Sequence, residues 1–431
     1  MSTNKGFWRR AVLWTAVGTL GWLGTARADV VADQAAAILV FPKIEVDTTD
    51  SVTNPNKPKI DTVVQITNTS PFLTRARCYY VNANGKCSNA GATDSVNTAP
   101  VICRTTDDCN PGTIRGGVCV PGWEERDFQL TLTKRQPLSW NASTGLSGND
   151  VPLTNGRTSK DGQSNDPTNV PSVQEDPFIG ELKCVQVDTA TEEPIDRNDL
   201  KGEATITTVL PLGGVDVRKY NAVGIQSTGF QDGDPTTLTL GGPDAEYNAC
   251  PNVIILDHYF DSLDLSGNEG VESHNDGAGN PLVTGRVATD LVVVPCSEDF
   301  LTQDPKYGSA VLQFLIYNEF EQRFSSSTRV DCFKQIQLSD INTRPGPSDN
   351  ASSIFSQAVQ GTLTGQTRIR PVSGVDRAHR VLVMAEERWE ARPVANGIPV
   401  YTTARNVQNI QPTVPTDAPL PDIIQLSPLV Q

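Results

Sequence analysis

Histidine is scarce: His258, His274 and His379 are the only three in 431 residues, and no two share a local spacing suited to zinc. No H-E-x-x-H occurs, which removes the metalloprotease helix. G-x-S-x-G is absent too; the nearest string, "GIQSTG" around Ser227, has the wrong spacing for a nucleophile elbow. Neither a Walker A loop nor a G-x-G-x-x-G turn is present, and the chain lacks the alternating strand and helix pattern that both need. No cofactor is implied. With no C-x-x-C, a thioredoxin-like redox centre and a haem attachment site are also excluded. Beyond the N-terminus, no stretch of a dozen residues carries a 3.6-residue apolar period, so helix is minor.

Basic charge is in short supply. Lys and Arg number 35 against 50 Asp and Glu, a formal charge of −15. Lys5, Arg9 and Arg10 precede the apolar run "AVLWTAVGTLGWLGT" and the small-x-small site Ala26-Arg27-Ala28. Residues 1–28 therefore read as a signal peptide cleaved after Ala28. The run is too short and too rich in Gly and Thr for a membrane span. Arg9-Arg10 leaves both the Sec and the twin-arginine routes open. Cleavage removes four basic residues and no acid, so the formal charge falls to −19. A field of that sign repels nucleic acid and anionic lipid. No integral membrane segment is expected after cleavage, and the expected location is the periplasm or the outside of the cell.

What is abundant is Gly, Pro, Thr and Val in short alternating runs, the grammar of an all-β protein. One phrase is written twice: "LTRARCYYVN" (Leu73 to Asn82) and "STRVDCFKQI" (Ser327 to Ile336) share Thr-Arg-x-x-Cys. Each follows a run ending in Ile-x-Asn, "DTVVQITN" (Asp61 to Asn68) and "VLQFLIYN" (Val311 to Asn318). Earlier in each copy stands an apolar run closed by proline, "ILVFP" (Ile38 to Pro42) and "LVVVP" (Leu291 to Pro295). "FIGELKCVQV" and "LKGEATITT" complete the first copy; "LTGQTRIRPV" and "RVLVMAEERW" complete the second. The expectation is two immunoglobulin-like antiparallel β-sandwich domains related by a degenerate internal repeat, with long loop insertions. The first spans 29–209 and carries a Cys-rich insertion and a polar one, the latter from Ser147 to Asp176. A linking region with some strand follows (210–285), then the second sandwich (286–394) and a Pro- and Thr-rich extended tail (395–431).

Nine cysteines in an exported chain point to disulfides, with at least one thiol left over because the number is odd. Cys87, Cys103, Cys109 and Cys119 form a dense patch whose expected work is to staple a polar loop; a metal knuckle is the rival. Cys296 with Cys332 is the preferred long-range pair, and Cys184 is placed with Cys250, leaving Cys78 without an assigned partner. Among titratable groups, His258 in "ILDHYFD" sits between Asp257 and Asp261 and reads as a structural, hydrogen-bonded residue. Glu175, Asp176 and Glu181 flank a strand start and are the candidates for a paired-carboxylate site. The loop "DLSGNEGVESHNDGAG" offers Asp264, Asn268, Glu269, Glu272, Asn275 and Asp276 as oxygen ligands, but without EF-hand spacing.

The segments "AAAILVFPKIEVD", "IDTVVQITNTS", "CYYVNANGKC", "GGPDAEYNACPNVIILDH" and "LTGQTRI" resemble those of uncharacterised secreted proteins of proteobacteria. That resemblance implies export and brings no activity. The reading is an exported, disulfide-containing protein, not an enzyme, with a structural or binding role at the envelope or outside the cell. Its partner would be a protein or a glycan. The alternatives are a carboxylate-based hydrolase and a calcium-dependent carbohydrate-binding module.

Overall fold

The computed structural model describes residues 34–50, 57–88, 102–103, 109, 117–120, 122–146, 152–153, 157–158, 170–210, 214–242, 244–262, 274–275, 281–342, 353–372, 380–392, 400–407 and 420–427. The expected signal segment, His379 and the acidic loop residues Asp264, Asn268, Glu269, Glu272 and Asp276 lie outside these residues.

In chain order the strands of the first half are β1 (Ile38–Val46), β2 (Lys59–Asn68), β3 (Thr74–Asn82), β4 (Gly85–Cys87), β5 (Ile102–Cys103), β6 (Cys119–Val120), β7 (Glu124–Leu132), β8 (Pro137–Asn141), β9 (Pro152–Leu153), β10 (Arg157–Thr158), β11 (Phe178–Val187), β12 (Leu200–Val209), β13 (Val215–Asn221) and β14 (Val223–Ile225). Those of the second half are β15 (Thr237–Leu240), β16 (Ile254–Tyr259), β17 (His274–Asn275), β18 (Pro281–Pro295), β19 (Glu298–Asp299), β20 (Ser309–Asn318), β21 (Arg323–Asp331), β22 (Lys334–Gln337), β23 (Thr364–Val372), β24 (Val381–Arg392), β25 (Val400–Val407) and β26 (Asp422–Gln425). Helix among the described residues amounts to Cys109 and single turns at Leu338–Asp340 and Gln357–Gln360. The protein is all-β.

Two sandwiches result. In the first, the sheet β14-β1-β11-β3-β7 faces the sheet β13-β12-β2-β8 across a core that includes Phe41, Tyr80, Trp140, Phe178 and Ile206. In the second, β16-β23-β20-β21 faces β17-β18-β24-β25 across Leu256, Phe260, Phe314, Ile316 and Phe355. The strands of the outer sheets follow the period of two. In β2 the inward Val64 and Ile66 are buried and the residues between them half-buried, as a strand with one wet face requires.

β1 and β11 behave differently, because every residue in both is buried. The second face of their sheet is covered as well. Ile38, Val40, Tyr79 and Val185 meet Leu238, Phe300, Leu382 and Ile424 in a further core, and Tyr79 stacks on Phe300 with ring centroids 4.2 Å apart. This cover is supplied by the third sheet, β15-β26-β19, and by the start of β24. The segments expected as a linker and a solvated tail therefore do structural work. β13 and β14 join the two sheets of the first sandwich, β16 lies in the second, β25 pairs with β24, and β26 lies between β15 and β19. A buried ion pair, Arg380 to Asp422 at 3.0 Å, fixes β26 in place. Arg77 also donates to the carbonyl of Ser427 at 2.8 Å.

The internal repeat is carried by other strands than its loudest phrase suggests. Val40 of β1 stands between Lys183 of β11 and Val223 of β14; Val293 of β18 stands between Lys334 of β22 and Val383 of β24 in the same way. β2 pairs with β12 as β20 pairs with β23. The two Thr-Arg-x-x-Cys strands do not correspond. β3 lies inside its sheet between β11 and β7, whereas β21 is an edge strand paired only with β20, in the other layer. The two Ile-x-Asn endings do correspond: the side-chain oxygens of the buried Asn68 and Asn318 each accept the N–H two residues on, at 2.9 Å from Ser70 and 3.0 Å from Phe320. This is the Asx-turn chemistry that closes a strand.

Each "L-x-G" strand also lays its glycine against an aromatic ring. A Cβ on Gly202 would sit 2.5 Å from Cζ of Phe41, and one on Gly365 would sit 2.4 Å from Cζ of Phe260. Gly202→Ala should therefore lose about 1–3 kcal/mol of stability through overpacking, read as a lowered denaturant midpoint at unchanged slope.

Candidate functional site

Four disulfides join Cys78 to Cys184, Cys87 to Cys109, Cys103 to Cys119 and Cys250 to Cys296. The expected pairs Cys296–Cys332 and Cys184–Cys250 are not formed. Cys78 and Cys184 are direct opposites in β3 and β11, so both sulfurs point into the first core. Cys250 and Cys296 meet in the core between the sandwiches. Cys332 keeps its thiol. It sits in a left-handed turn (φ +62°) after the edge strand β21, and its sulfur is turned to the carbonyl of Pro305 at 3.6 Å. The patch Cys87, Cys103 and Cys109 brings three sulfurs together, but each is spent in a disulfide and offers no thiolate to a metal.

Covering the central sheet on both faces traps charge. Lys43 lies 2.8 Å from Glu386 and 3.1 Å from Glu45, while Arg218 lies 3.1 Å from Glu386 and 3.7 Å from Glu45. Two cations face two carboxylates, so this network is balanced. It ties β1 and β13 of the first sandwich to β24 of the second. Burial works against the charge on Lys43, yet Glu45 and Glu386 hold its pKa above the ordinary value. The second buried cluster joins Glu181 and Lys183 on β11 to Glu298 on β19.

Among the described residues, a cleft of about 500 Å³ with room for a ligand lies on the outer face of β16-β23-β20. Alternation along these strands turns Asp257, Tyr259, Tyr317, Thr364 and Gln366 outward, with Glu319 and Glu387 at the rim. Gln366 is opposite both Asp257 and Tyr317, which sets a carboxylate, an amide and a phenol in one row. Gln366 donates to Asp257 at 3.0 Å, and Glu319 accepts from the hydroxyl of Thr364 at 2.5 Å. Trp389 packs edge-on to Tyr259 at 5.2 Å, and Arg368 lies over the ring of Tyr317 at 5.6 Å. His258 forms part of the wall. Its Nε2 is 2.7 Å from the Thr367 hydroxyl and its Nδ1 is 3.2 Å from the Tyr259 carbonyl, in keeping with a structural histidine.

The three carboxylates singled out in the sequence do not converge. Glu175 accepts from Asn82 at 2.6 Å and from Asn84 at 2.9 Å, with Lys86 at 2.5 Å. Burial alone would raise its pKa, but these hydrogen bonds hold it below the ordinary value. Asp176 accepts the N–H of Thr48 at 3.0 Å. Glu181 is inside the protein. The cleft residues were missed because each is an ordinary polar position on an alternating strand. The available signal was the outward tyrosines of "ILDHYF" and "FLIYN".

No protein-family model matches the chain, and no curated protein matches it. Among solved structures, it aligns with the CupB6 tip adhesin from Pseudomonas aeruginosa at 10% sequence identity, over 88% of this chain and 99% of that chain. The TM-score is 0.10, and the likeness carries no argument. Among the described residues no helix is long and apolar enough to cross a membrane. The fold and its sites define an all-β sandwich protein with four disulfides and a polar, tyrosine-bearing cleft.

Thiol titration should find none in the native protein and one after denaturation without reductant, and Cys332→Ser should abolish that one. Lys43→Met should cost about 3–5 kcal/mol, because it leaves buried carboxylates undercompensated; chemical denaturation reads the loss. Glu125 on β7 gives a pH test. Burial, reinforced by Asp127 and opposed by Arg77, pushes its pKa from 4.5 up to about 7. Between those values the folded state holds the extra proton, so stability should fall as pH rises from 4.5 to 7 and then level off. Glu125→Gln should remove that share of the slope, read from melting temperatures across the range.

Proposed function

We propose that this is an exported binding protein of the cell envelope or its exterior, whose rigid double sandwich presents the β16-β23-β20 cleft to a hydroxyl-rich ligand of the glycan type. The observation that carries the reading is the makeup of the cleft. Two tyrosines supply flat apolar faces beside carboxylate, amide and hydroxyl groups on a sheet that does not need to move. Sugars present that same mixture of apolar ring faces and hydroxyl edges, and aromatic bodies with polar tips suit such surfaces. Export is supported by the N-terminal sequence and by disulfides, which persist in oxidising compartments. Asp257 and Glu319 are engaged as hydrogen-bond acceptors by their neighbours, which suits them to orienting hydroxyl groups.

Glycan-array screening followed by calorimetric titration tests this. Tyr259→Ala and Tyr317→Ala should each weaken binding at least about tenfold, the loss of roughly 1.4 kcal/mol, with the fold intact by thiol count. Absence of any glycan ligand, together with capture of a defined protein partner by the same cleft, would overturn the reading.

A further inference from the structure

The second buried cluster has an arithmetic that the first lacks. Lys183 alone faces two carboxyl groups, and all three side chains are at most 1% exposed. Its Nζ lies 3.2 Å from Oε1 of Glu181 and 3.3 Å from the carbonyl of Pro295, and it is in closest contact with Oε2 of Glu298. The i, i+2 spacing on β11 puts Glu181 and Lys183 on one face. Tyr79 is the direct opposite of Lys183 on β3, and its ring is stacked on Phe300, two residues beyond Glu298. The site is fully buried and is built on β11 and β19, with the stacked Tyr79–Phe300 pair carried by the neighbouring positions. Burial, with Glu181 beside it, raises the Glu298 carboxyl well above its ordinary value, which favours the acid form that an amine can attack. Burial raises Glu181 as well, opposed by Lys183, while Glu181 and Glu298 hold the Lys183 amine above its ordinary value despite its burial. Charged groups buried in such a place are costly; a neutral amide is not.

We propose that Lys183 and Glu298 become joined by an isopeptide bond formed within the folded protein, with Glu181 as the proton relay. Glu181 takes a proton from the Lys183 ammonium, which frees the Nζ lone pair. Nζ attacks Cδ of the protonated Glu298, and the N–C bond forms as the C–OH bond breaks. The departing hydroxyl takes a second proton from nitrogen by way of Glu181 and leaves as water. The products are a neutral amide, one water and Glu181 in its acid form. No oxidant, metal or co-reactant is consumed, and the net charge of the group is zero before and after. Fixing amine and acid in contact supplies the effective concentration that such condensation needs. The bond would tie β11 of the first sandwich to β19, between the two halves.

The test is peptide mapping by mass spectrometry on the purified full chain, reduced and alkylated before trypsin. The expected result is no cleavage after Lys183 and a branched peptide that joins the segment holding Lys183 to residues 287–306, lighter by one water than the two segments together. Ordinary cleavage after Lys183, with 287–306 recovered at its unmodified mass, overturns the proposal. Lys183→Met should return 287–306 as a free peptide. Glu181→Gln, checked for native folding by its single buried thiol, should lose the branched peptide or form it at least about tenfold more slowly. Formation at the wild-type rate would remove Glu181 from the relay. If the variants fail to fold, the wild-type map alone decides.

Discussion

The structure depends on two central strands, β1 and β11, being buried on both sides. β14-β1-β11-β3-β7 forms half of the first sandwich with one face and the floor of the shared core with the other. A strand with two buried faces cannot alternate, so β1 and β11 are buried along their whole length. The chain supplies the second cover from far away: β15 precedes the second sandwich, and β26 returns near the C-terminal end. The two halves are therefore bound by a core rather than by a surface contact.

That choice governs the charges. A lysine or glutamate on such a strand has no solvent to reach, and each must find its partner inside. Lys43 and Glu45 find Arg218 and Glu386, two of each sign. Lys183 has two acids to itself. Both clusters draw one partner from the other half of the chain, so the ion pairs and the apolar core hold the same interface. The tyrosine-bearing cleft lies on the far sheet of the second sandwich.

Much of this was legible along the chain. "ILVFP" and "DTVVQITN" stand out along the chain as apolar runs of the repeat, and both form strands, the first buried throughout and the second on one face. Asn68 and Asn318 close their strands in turns, as their type and position suggest. The misreadings share a cause. Thr-Arg-x-x-Cys is a local phrase, but whether its cysteine lies inside a sheet or beyond an edge strand is decided by which strands become neighbours. The pairing of Cys78 with Cys184 needs β3 beside β11, across an insertion of about 100 residues that local pattern does not bridge. Composition marked the C-terminal region as a solvated tail, yet "DIIQ" is short, buried at alternate positions and fits the gap left between β15 and β19. The cleft was hidden for the same reason: its row of Asp257, Gln366 and Tyr317 comes from three strands distant in sequence.

Differential scanning calorimetry of the oxidised protein tests the shared core most directly. The account predicts one cooperative transition whose calorimetric and van't Hoff enthalpies agree, because neither sandwich can lose its fold without exposing the face it shares with the other. Two resolved transitions, each with the enthalpy of one sandwich, would contradict it.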